Sequence, residues 1–462
     1  MLSDSPANAN PDRRGGLKRQ LGLSAVVAVV MGDMMGSGIF FTPGELAPIA
    51  ESNWQVYFIW ALAGFIVLCG ALTLSELASF LPRAGATYHI LGEAFGPFWA
   101  FLKVWMEIFI SAPGSIAGVA VAFSGFAERI ATGSESTSTP FWGIGAIWFF
   151  AGINLLGVRW GGRTQVALTT VKVLGLLCLV LGSFFLAEPA ARTLDASDDA
   201  SMDWLAFVRF VGLGVAAVLF TYDGWTDISH TAGEVTNPRR NLPFGLGFGV
   251  LGIVMLYLIV NVAFLRVMPL HVMKEEGATV ATTLAIASFG EIGGSLVNVL
   301  IVISIFGALG GLVMTAPRLV FAPSARYAEM TRGRTGSGFF RALSYVSPRT
   351  SVPASAIVFS ATLATTAILF FGTFGRLVTF IFVPLQLTNI LTVVAVLRLR
   401  QRTLQDPEAF LTPGYPIVPL VFAFVMSLFI VSAIVYSPLD TFIGIGILAL
   451  GGPVYMWIRR GA

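Results

Sequence analysis

The chain has 462 residues, of which 56% are hydrophobic and only 11% charged, with a net charge of +3 and a mean hydropathy of +0.81. A soluble domain carries about 25% charged residues, so this composition excludes a soluble enzyme with one anchor and requires a polytopic membrane protein. Two cysteines and three histidines far apart in sequence give no Cys-His metal cluster, and there is no phosphate loop or nucleophile elbow; nothing calls for a metal, a cofactor or nucleic acid.

Residues 1–20 form a polar tail without a cleavable signal pattern, and Arg13, Arg14, Lys18 and Arg19 precede the first apolar stretch. A helix crossing lipid needs about 20 predominantly apolar residues. Twelve such stretches occur: 21–47, 55–80, 97–127, 141–157, 165–187, 205–233, 242–266, 295–322, 353–372, 376–399, 416–436 and 440–458. The third, sixth and eighth run long, which predicts tilt or extension beyond the lipid.

The first stretch is broken at Gly36-Ser37-Gly38, in the run Met34-Met35-Gly36-Ser37-Gly38-Ile39-Phe40. Hydrocarbon offers backbone groups no hydrogen-bond partners, so the break needs protein, water or ligand around it. Taken alone, the triplet fits a kink or tight helix contact as well as a transporter's substrate site. Cys69 and Cys178, in the second and fifth stretches, read as small core residues and not as a disulfide. Lys103 and Glu107, four apart in the third, can pair on one helix face. Lys172 in the fifth needs a partner at depth, or else snorkels to an end about two turns away.

The sixth stretch is broken in turn, at Phe220-Thr221-Tyr222-Asp223-Gly224-Trp225-Thr226-Asp227. An ionisable residue at membrane depth costs about 2.5–3.5 kcal/mol on insertion scales and marks a functional position. Further on, 271–293 is too polar to span and reads as an external loop with a small helix at Thr282 to Phe289. The basic segment from Pro323 to Val352 is expected on the lipid surface.

Basic residues orient the chain. The N-terminal group, Arg83, Arg159, Arg163, Arg239, Arg240, Arg326, Arg332, Arg334, Arg341, Arg349, Arg398, Arg400, Arg402, Arg459 and Arg460 all fall on one side of a twelve-span arrangement. The positive-inside rule puts that side, with both termini, in the cytoplasm; the protein is expected in the cell's inner (plasma) membrane. The two breaks are five spans apart, an odd number, so two five-span halves would run in opposite directions. Paired broken helices in inverted repeats enclose transporter sites.

These motifs carry a family resemblance. Gly36-Ser37-Gly38-Ile39-Phe40 resembles the G-S-G-I-F signature of the amino acid–polyamine–organocation superfamily. Glu234-Val235-Thr236-Asn237-Pro238-Arg239-Arg240-Asn241-Leu242-Pro243 is similar to the E-x-x-N-P-x-R-N-L-P signature after the sixth helix of its L-type amino acid transporter branch. Glu76-Leu77, Pro82 to Tyr88 and Ala94-Phe95-Gly96 resemble that family's loop after the second helix. The resemblance implies an all-α, LeuT-like fold of twelve transmembrane helices. A first repeat at 21–187 and a second at 205–399 would be followed by accessory helices at 416–458 and a cytoplasmic C-terminus at 459–462.

It also implies roles. Amides at Gly36, Ser37, Gly38 and Ile39 are candidates to hold an amino acid carboxylate at the start of the outer half-helix. By resemblance, carbonyls of Met34, Phe220 and Asp223 would take the ammonium. Phe220 resembles an outer gate, and Trp225 is either a pocket aromatic or packing. Asp223 reads first as a helix cap, with direct ammonium binding or proton exchange as the alternative. Lys172 resembles the branch's lysine that stands in for sodium and ties span five to the first break. Glu234, with Arg239 and Arg240, forms either an inner gate with the basic N-terminus or a solvated helix end.

The function implied is a secondary transporter of neutral L-amino acids working by sodium-independent exchange. The alternatives are a proton-coupled amino acid or amine symporter, and an amino acid sensor that transports nothing. Animal relatives join a glycoprotein through a cysteine between spans three and four. The corresponding loop here, Ala131 to Pro140, has none, so no disulfide-linked subunit is expected and the protein is expected to act as a monomer.

Overall fold

Because lipid leaves backbone groups to satisfy one another, the chain resolves into helices. A computed structural model describes residues 21–36, 38–82, 86–132, 140–156, 158–190, 204–330, 337–350 and 352–460. In chain order the helices are α1 (Leu23–Met34), α2 (Thr42–Leu46), α3 (Asn53–Phe80), α4 (Ala86–Phe95), α5 (Pro97–Met106), α6 (Ala112–Thr132), α7 (Phe141–Leu156), α8 (Val158–Phe185), α9 (Trp204–Thr221), α10 (Pro238–Val267), α11 (Leu270–Glu276), α12 (Val280–Met330), α13 (Ser337–Leu343), α14 (Ala354–Phe371), α15 (Phe374–Thr403), α16 (Ile417–Tyr436) and α17 (Pro438–Arg460). Among the described residues, eight helical segments are long and apolar enough to cross a membrane, and three shorter apolar ones are present.

Two groups of helices pack against each other. In one, α10 packs along α1 and α3, and α3 along α9. Small residues make the α1–α10 contact: a Cβ on Gly245 or Gly249 would fall 2.3 or 2.7 Å from Val26 or Val30, so only glycine lets these backbones approach. In the other group, α12 packs on α6, α7, α8 and α14. Helix α15 touches both groups through α3 and α6, and 72% of its membrane window is buried. Helices α16 and α17 are buried over only 17% and 22% of theirs. They form the rim, with apolar faces turned outward.

Two expectations are corrected and one is extended. The polar stretch 271–293 holds α11 and then the first part of α12, which breaks at the non-helical Gly290 (φ 71), so the small helix expected at Thr282 to Phe289 is present and α11 precedes it. Helix α12 also runs on to Met330 through Pro317 and Pro323, so the surface segment starts later than Pro323. Cys178 is exposed whereas Cys69 is buried. Cys178 shares its stretch of α8 with Leu174, Leu177 and Leu181, which are also exposed. An apolar run reads the same whether its face meets protein or lipid.

The end of α15 and the segment after it are tied to three other helices. Glu76 of α3 is fully buried. Its carboxylate pairs with Arg400 and accepts bonds from the Thr403 hydroxyl (2.7 Å) and the Thr412 N–H (2.8 Å). Arg402 pairs with Glu93 of α4 (3.2 Å), and Arg398 lies 4.8 Å over the Phe95 ring. Arg239 of α10 reaches Asp406 (2.7 Å) and Glu408 (2.6 Å). Removing one partner of a buried ion pair costs about 3–5 kcal/mol, because the other charge is left stranded. Glu76→Ala is therefore expected to destabilise the protein by about that amount, read as the loss of unfolding free energy in detergent titration.

Candidate functional site

Helix α1 stops at Met34, and the chain restarts as a 3-10 turn, Gly38–Phe40, that leads into α2. Helix α9 stops at Thr221, turns through 222–226 and restarts as a 3-10 helix, Asp227–Glu234. The two interruptions meet. A Cβ on Gly224 would lie 2.7 Å from the Asp33 carbonyl oxygen and 3.1 Å from the Met34 nitrogen. Gly224 also has φ 103, a left-handed conformation that side chains resist. A Cβ on Gly38 would lie 2.7 Å from the Thr221 hydroxyl, and the Thr42 and Thr221 hydroxyls share a 2.9 Å hydrogen bond. At the other end of both breaks, Leu21 forms a parallel bridge with Val235, and the Thr236 N–H donates to the Leu21 carbonyl at 2.9 Å.

Buried aromatics hold the crossing. Trp60, Tyr222 and Tyr257 are fully buried, with ring centroids 5.3–5.7 Å apart. The Tyr222 hydroxyl donates to the Trp60 carbonyl at 3.2 Å. The Tyr257 hydroxyl donates to the Met34 carbonyl at 2.9 Å. The Gly36 N–H also bonds that carbonyl, at 2.9 Å.

Charge surrounds the crossing. Asp33, one residue before the end of α1, interacts electrostatically with the buried Lys172 of α8. Lys103 and Glu107 are buried and paired at 2.7 Å, where α5 gives way to a π-helical turn, Glu107–Ser111. Such turns occur frequently at functional sites. This pair interacts with both Asp223 and Asp227. The Asp33 and Asp227 side chains keep accessible surface. Among the described residues no group of three His, Cys, Asp or Glu can hold a metal ion.

The expected site residues separate on these positions. Gly36, Gly38, Ile39, Met34, Phe220 and Asp223 come together at the crossing; Ser37 lies outside the described residues. The Met34 carbonyl already accepts two bonds, its full capacity, and is not free for a substrate ammonium. Trp225 is buried 5.6 Å from Phe422 of α16 and against Gly70, in packing away from the first break. Phe220 is half-buried, 6.5 Å from Phe382. Asp223 does not cap the restarted helix, whose cap residue is Thr226 with no side-chain bond. The Glu234 side chain and the N-terminal tail lie outside the described residues. Arg239 finds its partners after α15 instead. Sequence reading missed Asp33, Trp60 and Tyr257. Asp33 carried a signal, an acid inside an apolar helix; the two aromatics carried none beyond ordinary core composition.

The profile of the amino acid permease family matches residues 21–455. This chain belongs to the amino acid permease family. The permease is 30% identical to the serine/threonine exchanger SteT of Bacillus subtilis (strain 168), over 96% of this chain and 98% of that protein. It is 28% identical to the human b(0,+)-type amino acid transporter 1, over 91% of this chain and 83% of that one. It is 25% identical to the mouse Asc-type amino acid transporter 1, over 96% and 81%. Membership makes the permease an amino acid transporter of the membrane and not an enzyme.

The crossing yields a sharp prediction. Gly224→Ala forces a side chain both into the left-handed region, at a cost of about 1–3 kcal/mol, and onto the α1 backbone. Transport by the inserted protein is expected to fall about five- to a hundredfold, the factor those energies give. Gly247→Ala, where a Cβ meets nothing within 4 Å, is expected to leave transport unchanged. Uptake per inserted molecule checks both.

Proposed function

We propose that the permease exchanges neutral L-amino acids across the cell's inner membrane by alternating access, without sodium. The observation that carries this reading is the contact of the two broken helices around Gly36, Gly38 and Gly224. The first N–H groups of a helix lack partners within it. The amides of Gly38 and Ile39 face this requirement, and a substrate carboxylate meets it; Ser37, expected at the same place, lies outside the described residues. Beside Gly36 there is room, since a Cβ there would find nothing nearer than 3.9 Å. The ammonium goes to the opposite side, to the Phe220 and Asp223 carbonyls and the Asp223 carboxylate. Phe220 lies across the approach as the gate. Trp225 supports the restarted helix from behind, and Glu234 belongs to the inner closure.

Lys172 supports sodium independence. Its ammonium supplies a fixed positive charge next to Asp33 on the first broken helix, where a cation would otherwise be needed. The conformation is read as open to the cytoplasm. On the outer side α2 is pressed under the α11–α12 connection, where a Cβ on Gly44 would collide with the Gly277 carbonyl at 1.7 Å. The acids Asp33 and Asp227 stay solvent-accessible. Twelve crossings in two inverted five-helix repeats with cytoplasmic termini, and action as a monomer without a disulfide-linked subunit, complete the proposal.

A second reading, a cationic amino acid or amine as substrate, is favoured by one observation: Asp33, Asp223, Asp227 and Glu107 outnumber Lys103 and Lys172 at the crossing. Labelled uptake into vesicles of purified protein separates the readings. Exchange predicts uptake of neutral amino acids only when substrate is also inside, with equal rates in sodium and potassium. Uptake driven by a pH gradient into empty vesicles contradicts it. Binding without uptake would indicate a sensor, and selective uptake of amines would indicate the second reading. Lys172→Ala is expected to insert but lose at least tenfold in turnover, since an unpaired intramembrane Asp33 costs about 2.5–3.5 kcal/mol. Wild-type turnover in that variant ends the assignment of Lys172.

A further inference from the structure

On the outside of the bundle, away from the crossing, three elements form an apolar groove. Its volume is about 380 Å³, and it is lined by Trp105, Phe109, Phe339, Phe340, Val454 and Trp457. Trp105 and Phe109 come from α5 and its π-helical turn, Phe339 and Phe340 from the short α13, and Val454 and Trp457 from the end of α17. The walls are fixed from behind. The Trp105 indole donates to the Ile447 carbonyl at 2.7 Å, Phe340 lies 5.6 Å from Tyr327 of α12, and Phe339 lies 6.0 Å from Phe359 of α14. Phe339 and Trp457 still expose about half their surface, 47% and 52%. Tryptophans and other aromatics with one wet and one apolar side concentrate at the membrane–water boundary.

The sequence around the groove's elements is basic: between residues 326 and 349 the chain carries five arginines, Arg326, Arg332, Arg334, Arg341 and Arg349, against one acid, Glu329. Arg341 follows Phe340 directly in α13, and Arg459 follows Trp457 by two residues at the end of α17. Arg341, Arg349 and Arg459 are exposed, and none takes part in the ion pairs formed among the described residues. All belong to the side that the positive-inside rule assigns to the cytoplasm, the side whose leaflet holds anionic lipid.

We infer that this groove is a binding site for an anionic phospholipid. One acyl chain lies between Trp105, Phe340 and Trp457, and the headgroup phosphate rests on Arg341 and Arg459. The apolar lining matches the chain and the unpaired guanidinium groups match the phosphate, whereas a zwitterionic headgroup would bring a positive charge to an already positive rim. The setting also favours lipid over a protein partner, because α17 already turns most of its surface outward into the bilayer.

The full-length protein, purified in detergent, would be mixed with phosphatidylglycerol and phosphatidylcholine of identical acyl chains, and retained lipid counted by native mass spectrometry. Wild type is expected to retain phosphatidylglycerol over phosphatidylcholine. Arg341→Gln and Arg459→Gln are each expected to lower that retention about fivefold, the factor one Arg near an anionic surface contributes. Val454→Trp, which fills the groove, is expected to lower retention of both lipids. Melting temperature confirms that each variant is folded. Equal retention of the two lipids by wild type, or unchanged retention in the arginine variants, overturns the inference. So does a dimer that Trp457→Ala dissociates, which would mean that a second copy occupies the groove.

Discussion

Everything at the centre of this molecule follows from the demand that no backbone group at membrane depth be left without a partner. Two helices stop where that demand is hardest to meet, and each is completed by groups from elsewhere. The freed Met34 carbonyl takes the Tyr257 hydroxyl, and Thr42 and Thr221 bond to each other across the two breaks. Gly224 and Gly38 exist where a Cβ would strike the opposing chain. On the proposed reading, the amides left for substrate are those at the start of the outer half-helix, and such a site would recognise the part all amino acids share.

Charge gives the crossing its links to the rest of the bundle. Lys172 reaches it from α8 through Asp33, and the Lys103–Glu107 pair reaches it from the π-helical turn beside α6 through Asp223 and Asp227. Each of these groups would be costly in lipid alone; together they offset one another. Helices α6 and α8 both pack on α12, so the electrostatic links run from the broken helices to the other packed group. Movement of one group against the other must stretch or exchange these links. The ties of the end of α15 and the segment after it to Glu76, Glu93 and Arg239 hold another part of the same assembly.

Much of this was legible in the sequence because lipid simplifies the code. Apolar length predicted segments that each contain a helix, and the glycines and acids at 36–38 and 223–227 marked the two breaks. Pairing of Lys103 with Glu107 followed from their spacing alone. What stayed hidden depended on direction and on distant partners. Cys178 and Cys69 sit in equally apolar runs, yet one faces outward and one inward. Trp225 sits in the motif beside Asp223 but packs on Phe422, far along the chain. Tyr257 lies in an unremarked apolar stretch, and only the fold brings its hydroxyl to Met34. Asp33 was visible as an acid in an apolar helix, and its significance depends on Lys172 being opposite.

The central claim is that the open space beside Gly36 receives the carboxylate of an amino acid. It is tested most directly by equilibrium binding of a labelled amino acid to purified wild-type and Gly36→Ala protein, with melting temperature measured on both. A methyl group at Gly36 meets no protein atom closer than 3.9 Å, so the variant should melt with wild type. It should also lose amino acid binding by at least tenfold, because the methyl stands where the carboxylate must lie. Unchanged melting together with unchanged affinity would contradict the assignment.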